Sequence, residues 1–350
     1  MKRRLLAGVL TFVMVLSLLP TAVLAEETSG QEGEESASQT VKDIYGDEWT
    51  FTTSVDNSTI TMVQGENRIV AGFADGTLTF TGSGTMPVLN DSTDAVSGSQ
   101  FTAYPWAGWK DSATKIVIGD GITGVGAKSF ITWPNVGEVQ LGKDVATIGA
   151  GAFAQLTGCT QFTVDASNTS FEAADGVLYS KGQEKLYYYP CAKTGTEFNV
   201  PGTVTELGYN AVCRNPYLET ISFMGNNALH LGFGSMFGNT ALTTVNLGRT
   251  DVTFDTLVFN ADTALKVVYC ENPEIKAAVN NLMKDTGSNT IALLQGGQYD
   301  KTSEGYNYAI DSEGAIICGY TGSDTELTIP DKLEEKPVTS INQALQGRVA

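Results

Sequence analysis

A mainly β solenoid, in which short coils stack into a parallel sheet, is the fold this sequence predicts. Three observations carry the prediction. Pairs of apolar residues separated by one position recur at Ile116/Ile118, Val139/Leu141, Phe162/Val164, Phe198/Val200, Ile221/Phe223, Val245/Leu247 and Val268/Cys270, at spacings of 23, 23, 36, 23, 24 and 23. Single apolar anchors follow most pairs in a fixed order. The first are Val125, Ile148, Leu207, Leu231 and Phe254, and the second are Phe130, Phe153, Val212, Phe237 and Phe259. The third are Val136, Cys159, Leu218, Leu242 and Leu265. Glycine follows four of the first anchors, at Gly126, Gly149, Gly208 and Gly232. A unit this short cannot bury about six inward residues alone, whereas stacked units bury one continuous apolar column. Alternation within each pair gives a short strand, and stacked strands give a parallel sheet. The glycines permit tight corners, and the Ala-Phe stretch closes the opposite wall as one helical turn or irregular coil.

Taken in order, residues 1–25 read as a secretory signal peptide. Met1-Lys2-Arg3-Arg4 precedes an apolar run from Leu5 to Leu19, and Val23-Leu24-Ala25 closes it with small residues. The run is short for the ~20 residues of a membrane span, so no membrane span is expected in the mature chain. Residues 26–40 are rich in Glu, Ser and Gly without an aromatic, and predict a disordered acidic linker. Residues 113–270 hold the main array, interrupted by an insertion at 165–197. Its "DGVLYSKGQEKLYYYP" has two β-rich runs around Ser180-Lys181-Gly182-Gln183, predicting a hairpin that projects from the solenoid. After Cys270 the period breaks. Ile275, Val279, Leu282 and Met283 fall at helical spacing between Pro273 and Gly287, so residues 271–300 should hold one capping helix and a strand. Residues 301–350 then begin a second, incomplete repeat block, which suggests a portion of a longer protein.

The stretches "IGDGITGVGAKSF…VGEVQLGKDVATIGAGAFAQLTGCTQFTV", "DGVLYSKGQEKLYYYP" and "FNVPGTVTELGYNAV" resemble the BspA-like leucine-rich repeats of secreted bacterial proteins. Upstream, "DGTLTFTGSGTM" and "YPWAGWK" are similar to the β-rich segment that often precedes such repeats, which implies a β-rich N-terminal segment over 41–112. The resemblance spans roughly Gly76 to Cys270 and again Tyr306 to Leu345. It implies a leucine-rich repeat solenoid and roles in adhesion or host-protein binding. The chain departs from the pattern at Val212, which stands where an aromatic is usual, and at Asp255, where glycine is missing.

A net charge of −18 argues against nucleic acid and anionic membrane as partners. The five cysteines form no C-x-x-C pair and no metal-ligand spacing, and most read as small buried hydrophobes. An odd number leaves at least one thiol free unless it pairs between chains. His230 is the only histidine, and no G-x-S-x-G surrounds a serine. No zinc, Walker or complete G-x-G-x-x-G motif is present, so no catalytic residue, metal or cofactor is assigned. Carboxylates are abundant, but a thin solenoid wall rarely supplies the desolvated pocket that a glycosidase acid needs.

What a solenoid does offer is the residue inside each apolar pair. Val117, Gln140, Thr163, Asn199, Ser222, Asn246 and Tyr269 should form one row on the outer sheet face. Such a row is either a plain soluble surface of Thr and Asn ladders or a polar recognition face. Tyr187, Tyr188 and Tyr189 in the insertion either cover the contact with neighbouring coils or stack on a sugar or a protein. The reading is a non-enzymatic, secreted or cell-surface protein that binds an extracellular protein or glycan. The alternative is the binding or spacer portion of a longer secreted hydrolase or peptidase.

Overall fold

The computed structural model describes residues 36–89, 104–284, 289–324 and 327–342. The signal peptide, Gly287 and the last eight residues of the second block lie outside them. The first strand, β1 (Ala37–Lys42), already includes Ala37–Thr40, the end of the stretch read as linker. It opens an antiparallel meander with β2 (Glu48–Thr53), β3 (Thr59–Gln64), β4 (Asn67–Ala74) and β5 (Thr77–Thr85). Alternation drives it, because Trp49, Phe51, Ile60, Met62 and Ile69 face inward and are buried. The β4–β5 turn is Asp75-Gly76, with φ of 49° and 76°, the paired left-handed geometry that a two-residue hairpin requires. β5 then changes partner type. Its free edge pairs in parallel with β6 (Lys115–Ile118), placing Leu78 opposite Ile116 and Phe80 opposite Ile118. Between them "YPWAGWK" is not strand. Pro105–Trp109 form a 3₁₀ turn, with proline in its first turn, that plugs Trp106 into the core.

The first array continues through β7 (Ile122–Val125), β8 (Glu138–Leu141), β9 (Thr147–Ile148) and β10 (Gln161–Val164). β6, β8 and β10 are parallel and in the expected register, Ile116–Val139–Phe162 and Ile118–Leu141–Val164. β7 and β9 make a second, narrower parallel sheet. The wall opposite the main sheet is irregular, with left-handed residues four apart in successive coils: Lys128 and Thr132, Gly151 and Gln155, Asn210 and Arg214. This geometry turns Phe130, Phe153 and Val212 inward, all buried. In the next coil it turns Met236 inward instead of the expected Phe237, which is half-buried beneath Arg214. The repeat glycines have a different use from the one expected. None of Gly126, Gly149, Gly208 and Gly232 has positive φ; a Cβ on Gly126, Gly149 or Gly232 would instead meet backbone atoms at 2.2–2.6 Å. They set coil-to-coil distance rather than corner geometry.

The insertion folds as β11 (Phe171–Ala174), β12 (Val177–Ser180) and β13 (Lys185–Tyr188), an antiparallel meander. The turn at 180–183 is as predicted, but the hairpin does not project. β13 pairs in parallel with β15, so the insertion founds the second sheet of the array that follows. That array holds β14 (Glu197–Val200), β15 (Glu206–Leu207), β16 (Thr220–Met224), β17 (Leu229–Leu231), β18 (Thr244–Gly248), β19 (Val252–Phe254) and β20 (Val267–Cys270). The main sheet resumes as β14–β16–β18–β20 and the narrow one as β13–β15–β17–β19. The main sheet is therefore two sheets, interrupted between β10 and β14.

Helix α1 (Pro273–Lys284) starts at Asn272, whose Oδ1 accepts the Ile275 N–H at 2.9 Å, with proline next in the first turn. It stands where the narrow sheet would gain its next strand and buries Ile275, Val279 and Met283. β21 (Ile291–Leu294) then adds one more parallel rung to β20. The second block is a third meander, β22 (Gln298–Ser303), β23 (Tyr306–Ile310) and β24 (Ala315–Tyr320). β25 (Lys332–Leu333) and β26 (Lys336–Ile341) follow, and β26 lies parallel to β24. Ala309, Ile316 and Cys318 of this block pack on Val267, Tyr269, Ile291 and Leu293, the outer face of β20 and β21.

Candidate functional site

The row inside the apolar pairs exists, in two pieces. Val117, Gln140 and Thr163 are in register across β6, β8 and β10, and Asn199, Ser222, Asn246 and Tyr269 across β14, β16, β18 and β20. Alternation points each of them away from the core. Gln140 and Asn199 are exposed, and the others are half-buried. The row also begins one rung earlier, at Thr79, and ends one rung later, at Leu293. Leu78/Phe80 carries the same apolar spacing as the later pairs, a signal hidden because the next pair lies 38 residues on.

The two ends of the row differ chemically. Near the start, a shallow depression of about 380 Å³ is lined by Thr59, Gly72, Thr77 and Thr79. Beside it Lys115 and Glu138 pair at 3.3 Å. Thr163 Oγ1 donates to Glu138 Oε1 at 3.4 Å. Further on, Asn246 Nδ2 donates to Ser222 Oγ at 3.0 Å, one link of a side-chain ladder. The far end is closed. Tyr269 packs under the second block together with Tyr299 and Cys318, and burial raises the pKa of its hydroxyl. Tyr269 is therefore removed from the candidate contact surface, because a downstream meander covers it.

Of the two readings of the tyrosine run, the structure shows the one in which it covers the contact with neighbouring coils, and the stacking platform is dropped. Tyr188 and Tyr189 are 4% and 3% exposed. Strand alternation sends Tyr188 back into the first array, against Phe162 at 5.7 Å and Phe153 at 6.0 Å. Tyr189 turns forward onto Phe198 at 4.6 Å. Burial pushes the Tyr189 hydroxyl up to about 12 and that of Tyr188 still higher. Tyr187 remains half-buried, edge-on to Phe171 at 5.1 Å and beneath the Lys185 ammonium. These rings join two arrays and present no stacking platform to solvent.

On the outer face of the narrow sheet, Glu206, His230 and Thr253 are in register. Lys185 Nζ reaches Glu206 at 2.5 Å, His230 Nδ1 lies 3.1 Å from Thr253 Oγ1, and Nε2 lies 3.5 Å from Asp255. His230 and Asp255 are 42% and 49% exposed, so water screens the pair. Where α1 replaces a strand, an open groove of about 740 Å³ runs past Phe254, Leu257, Ala278 and Leu282. Among the described residues no cluster of three His, Cys, Asp or Glu could hold a metal ion, and no helix is long and apolar enough to cross a membrane.

Residues 107–174 and 183–289 match the BspA type leucine-rich repeat region, in six copies. The unmatched residues between them fall in the insertion, at β12. No curated protein matches. Among solved structures the chain is similar to a leucine-rich repeat protein from Eubacterium ventriosum, at 20% identity over 60% of this chain and 69% of that one, with a TM-score of 0.34. It is also similar to the pneumococcal vaccine antigen PcpA, at 20% identity over 45% of this chain, with a TM-score of 0.36; the match spans 50% of that antigen. A leucine-rich cell surface protein from Faecalibacterium prausnitzii matches at 15% identity over 69% of this chain and 96% of that one, with a TM-score of 0.30.

Proposed function

Since the chain belongs to the BspA-type leucine-rich repeat family, we propose that it is a non-enzymatic, secreted or cell-surface protein binding an extracellular protein or glycan through the uncovered part of its main sheets. The carrying observation is the outward row Asn199–Ser222–Asn246. It places uncharged hydrogen-bonding groups at one rung spacing, about 4.8 Å, on a rigid frame. An interface of that kind is polar and hydrated and gives moderate affinity. The leader-like residues 1–25 support export.

Replacing Asn199, Ser222 and Asn246 together by lysine tests the proposal. None points inward, so the thermal midpoint should stay unchanged while three like charges enter the contact. Binding to immobilised mucin and extracellular-matrix preparations should fall severalfold. Wild-type binding with an unchanged midpoint would clear this row and leave the Thr59–Thr79 depression as the remaining polar surface to test.

A further inference from the structure

Three of the five cysteines gather where the first array ends and the second begins. Cys159 closes the last coil before the insertion, Cys191 lies in the insertion just after β13, and Cys213 lies in the next wall segment. All three are buried and line one tightly packed crevice with Tyr188, Pro190 and Asn210. Within it the Sγ atoms of Cys191 and Cys213 are 3.9 Å apart.

The backbone holds the two thiols face to face from both flanks. Tyr189 and Val212 form a parallel bridge, and the Tyr189 N–H donates to Ala211 O at 2.7 Å. On the other side Asn215 Nδ2 donates to Pro190 O at 3.1 Å and to Lys193 O at 2.9 Å. Cys159 is placed differently, with its Sγ donating to Gln161 O at 3.5 Å. The hydrogen bond between the pair splits their acidity. Their shared hydrogen bond and burial raise the Cys191 thiol, while the same bond lowers that of Cys213 despite its burial.

We propose that Cys191 and Cys213 form an intramolecular disulfide that ties the insertion to the second array. Each sulfur loses its hydrogen and one S–S bond forms. The two electrons and two protons pass to a small-molecule disulfide such as oxidised glutathione, whose own S–S bond breaks to give two thiols. Because both sulfurs are buried in the finished fold, the exchange takes place while the coil at 189–213 is still open. The sulfurs stand about 2 Å beyond bonding distance, with paired backbone on both flanks. The bond falls beside the interruption of the main sheet between β10 and β14 and would reinforce the short β13–β15 ladder that joins the insertion to the second array. Export would deliver the chain to an oxidising compartment in which such a bond persists.

The test uses the full chain, refolded in a buffer of oxidised glutathione, then unfolded in guanidinium with iodoacetamide and digested with trypsin. Cleavage after Lys193 separates Leu186–Lys193 from Thr194–Arg214, so only a disulfide keeps the two peptides together. The expected map shows that linked species, with Cys159, Cys270 and Cys318 alkylated, and dithiothreitol releases both peptides. The oxidised protein should melt several degrees above the reduced one. Cys159→Ala should keep the link, and Cys191→Ala should abolish both the link and the difference in melting. Five alkylated cysteines after oxidative refolding, or a link that uses Cys159, would overturn the proposal, and the wild-type map decides this even if a variant does not fold.

Discussion

The array before the insertion and the array after it use one coil plan with different interiors. Before it, rings fill the space. Phe130 and Phe153 stack at 5.3 Å with planes 4° apart, and Phe80 and Trp133 meet Phe130 edge-on at 5.5 and 5.4 Å. After it, Val212 and Met236 take the wall positions of Phe130 and Phe153 before a ring returns at Phe259, and a polar spine runs beside them. The Asn215 N–H donates to Asn239 Oδ1 at 3.1 Å, and the Asn239 N–H donates to Asp262 Oδ1 at 2.6 Å. The turns after the main strands differ as well. In the first array exposed carboxylates share them with one buried amide: Asp144 accepts from the Gly121 N–H, Asp120 from that of Lys143, and Asn168 donates to the Gly142 and Val145 carbonyls. In the second the fully buried Arg249 donates to Val204 O at 2.6 Å and reaches Asn227, Pro201 and Gly202 carbonyls at 3.3–3.5 Å. Smaller side chains leave room for polar groups inside a coil, and once inside, those groups must be paired.

The contrast predicts where each array is vulnerable. Phe153→Ala removes a ring held by Phe130, Phe162 and Tyr188 and should cost ~3–5 kcal/mol in urea unfolding. A loss under ~1 kcal/mol would show that the ring column does not carry the first array.

The next effect is smaller and has the opposite sign. Asp262 ends the spine as a carboxyl whose Oδ2 has no partner, and burial pushes its pKa well above the usual carboxylate value. A raised folded pKa means that the native state holds a proton the unfolded chain has released. Its contribution is intact at acid pH and declines as pH rises from the unfolded value of about 3.9 towards the folded one. Asp262→Asn supplies an amide for the acid and should add about 1–2 kcal/mol at pH 7 while flattening that decline. Asp311 runs the other way. Burial pushes its carboxyl up, but Lys276 at 2.6 Å and the Leu294 and Glu313 N–H groups outweigh this and hold it below its ordinary value. Its contribution is present above the unfolded pKa and is lost as pH falls through the folded one. Unchanged pH dependence of the midpoint in Asp262→Asn would remove Asp262 as the source of the decline. At the small end, Gln140→Ala on the outer face should change stability by less than ~0.5 kcal/mol.

The main strands were legible because their signal is local: an apolar pair, an outward residue between, and a spacing of 23 or 24. The outward row followed from the same alternation. The wall was less legible because its left-handed residues decide whether Met236 or Phe237 turns inward, and neither residue type declares that geometry. The insertion was misread for a physical reason. Its last strand, β13, pairs with β15, beyond its own boundary, and long-range pairing leaves no periodic trace. Tyr269 failed in the same way, since its cover comes from Ala309 and Ile316, far along the chain. The spine could have been found. Asn215, Asn239 and Asp262 repeat at 24 and 23 residues, the period of the array itself.

Among the described residues meanders appear three times, and each ends in a strand that switches from antiparallel to parallel pairing: β5 to β6, β13 to β15, and β24 to β26. A stacked spiral passes any error of twist or phase from one turn to the next, so its geometry is inherited from whatever begins it. A meander with its own apolar face begins afresh and inherits only what its neighbours press on it. Gain or loss of a turn on one side of such a boundary therefore need not disturb the phase on the other. The tract between two meanders is thus the length of spiral over which phase is shared in this molecule.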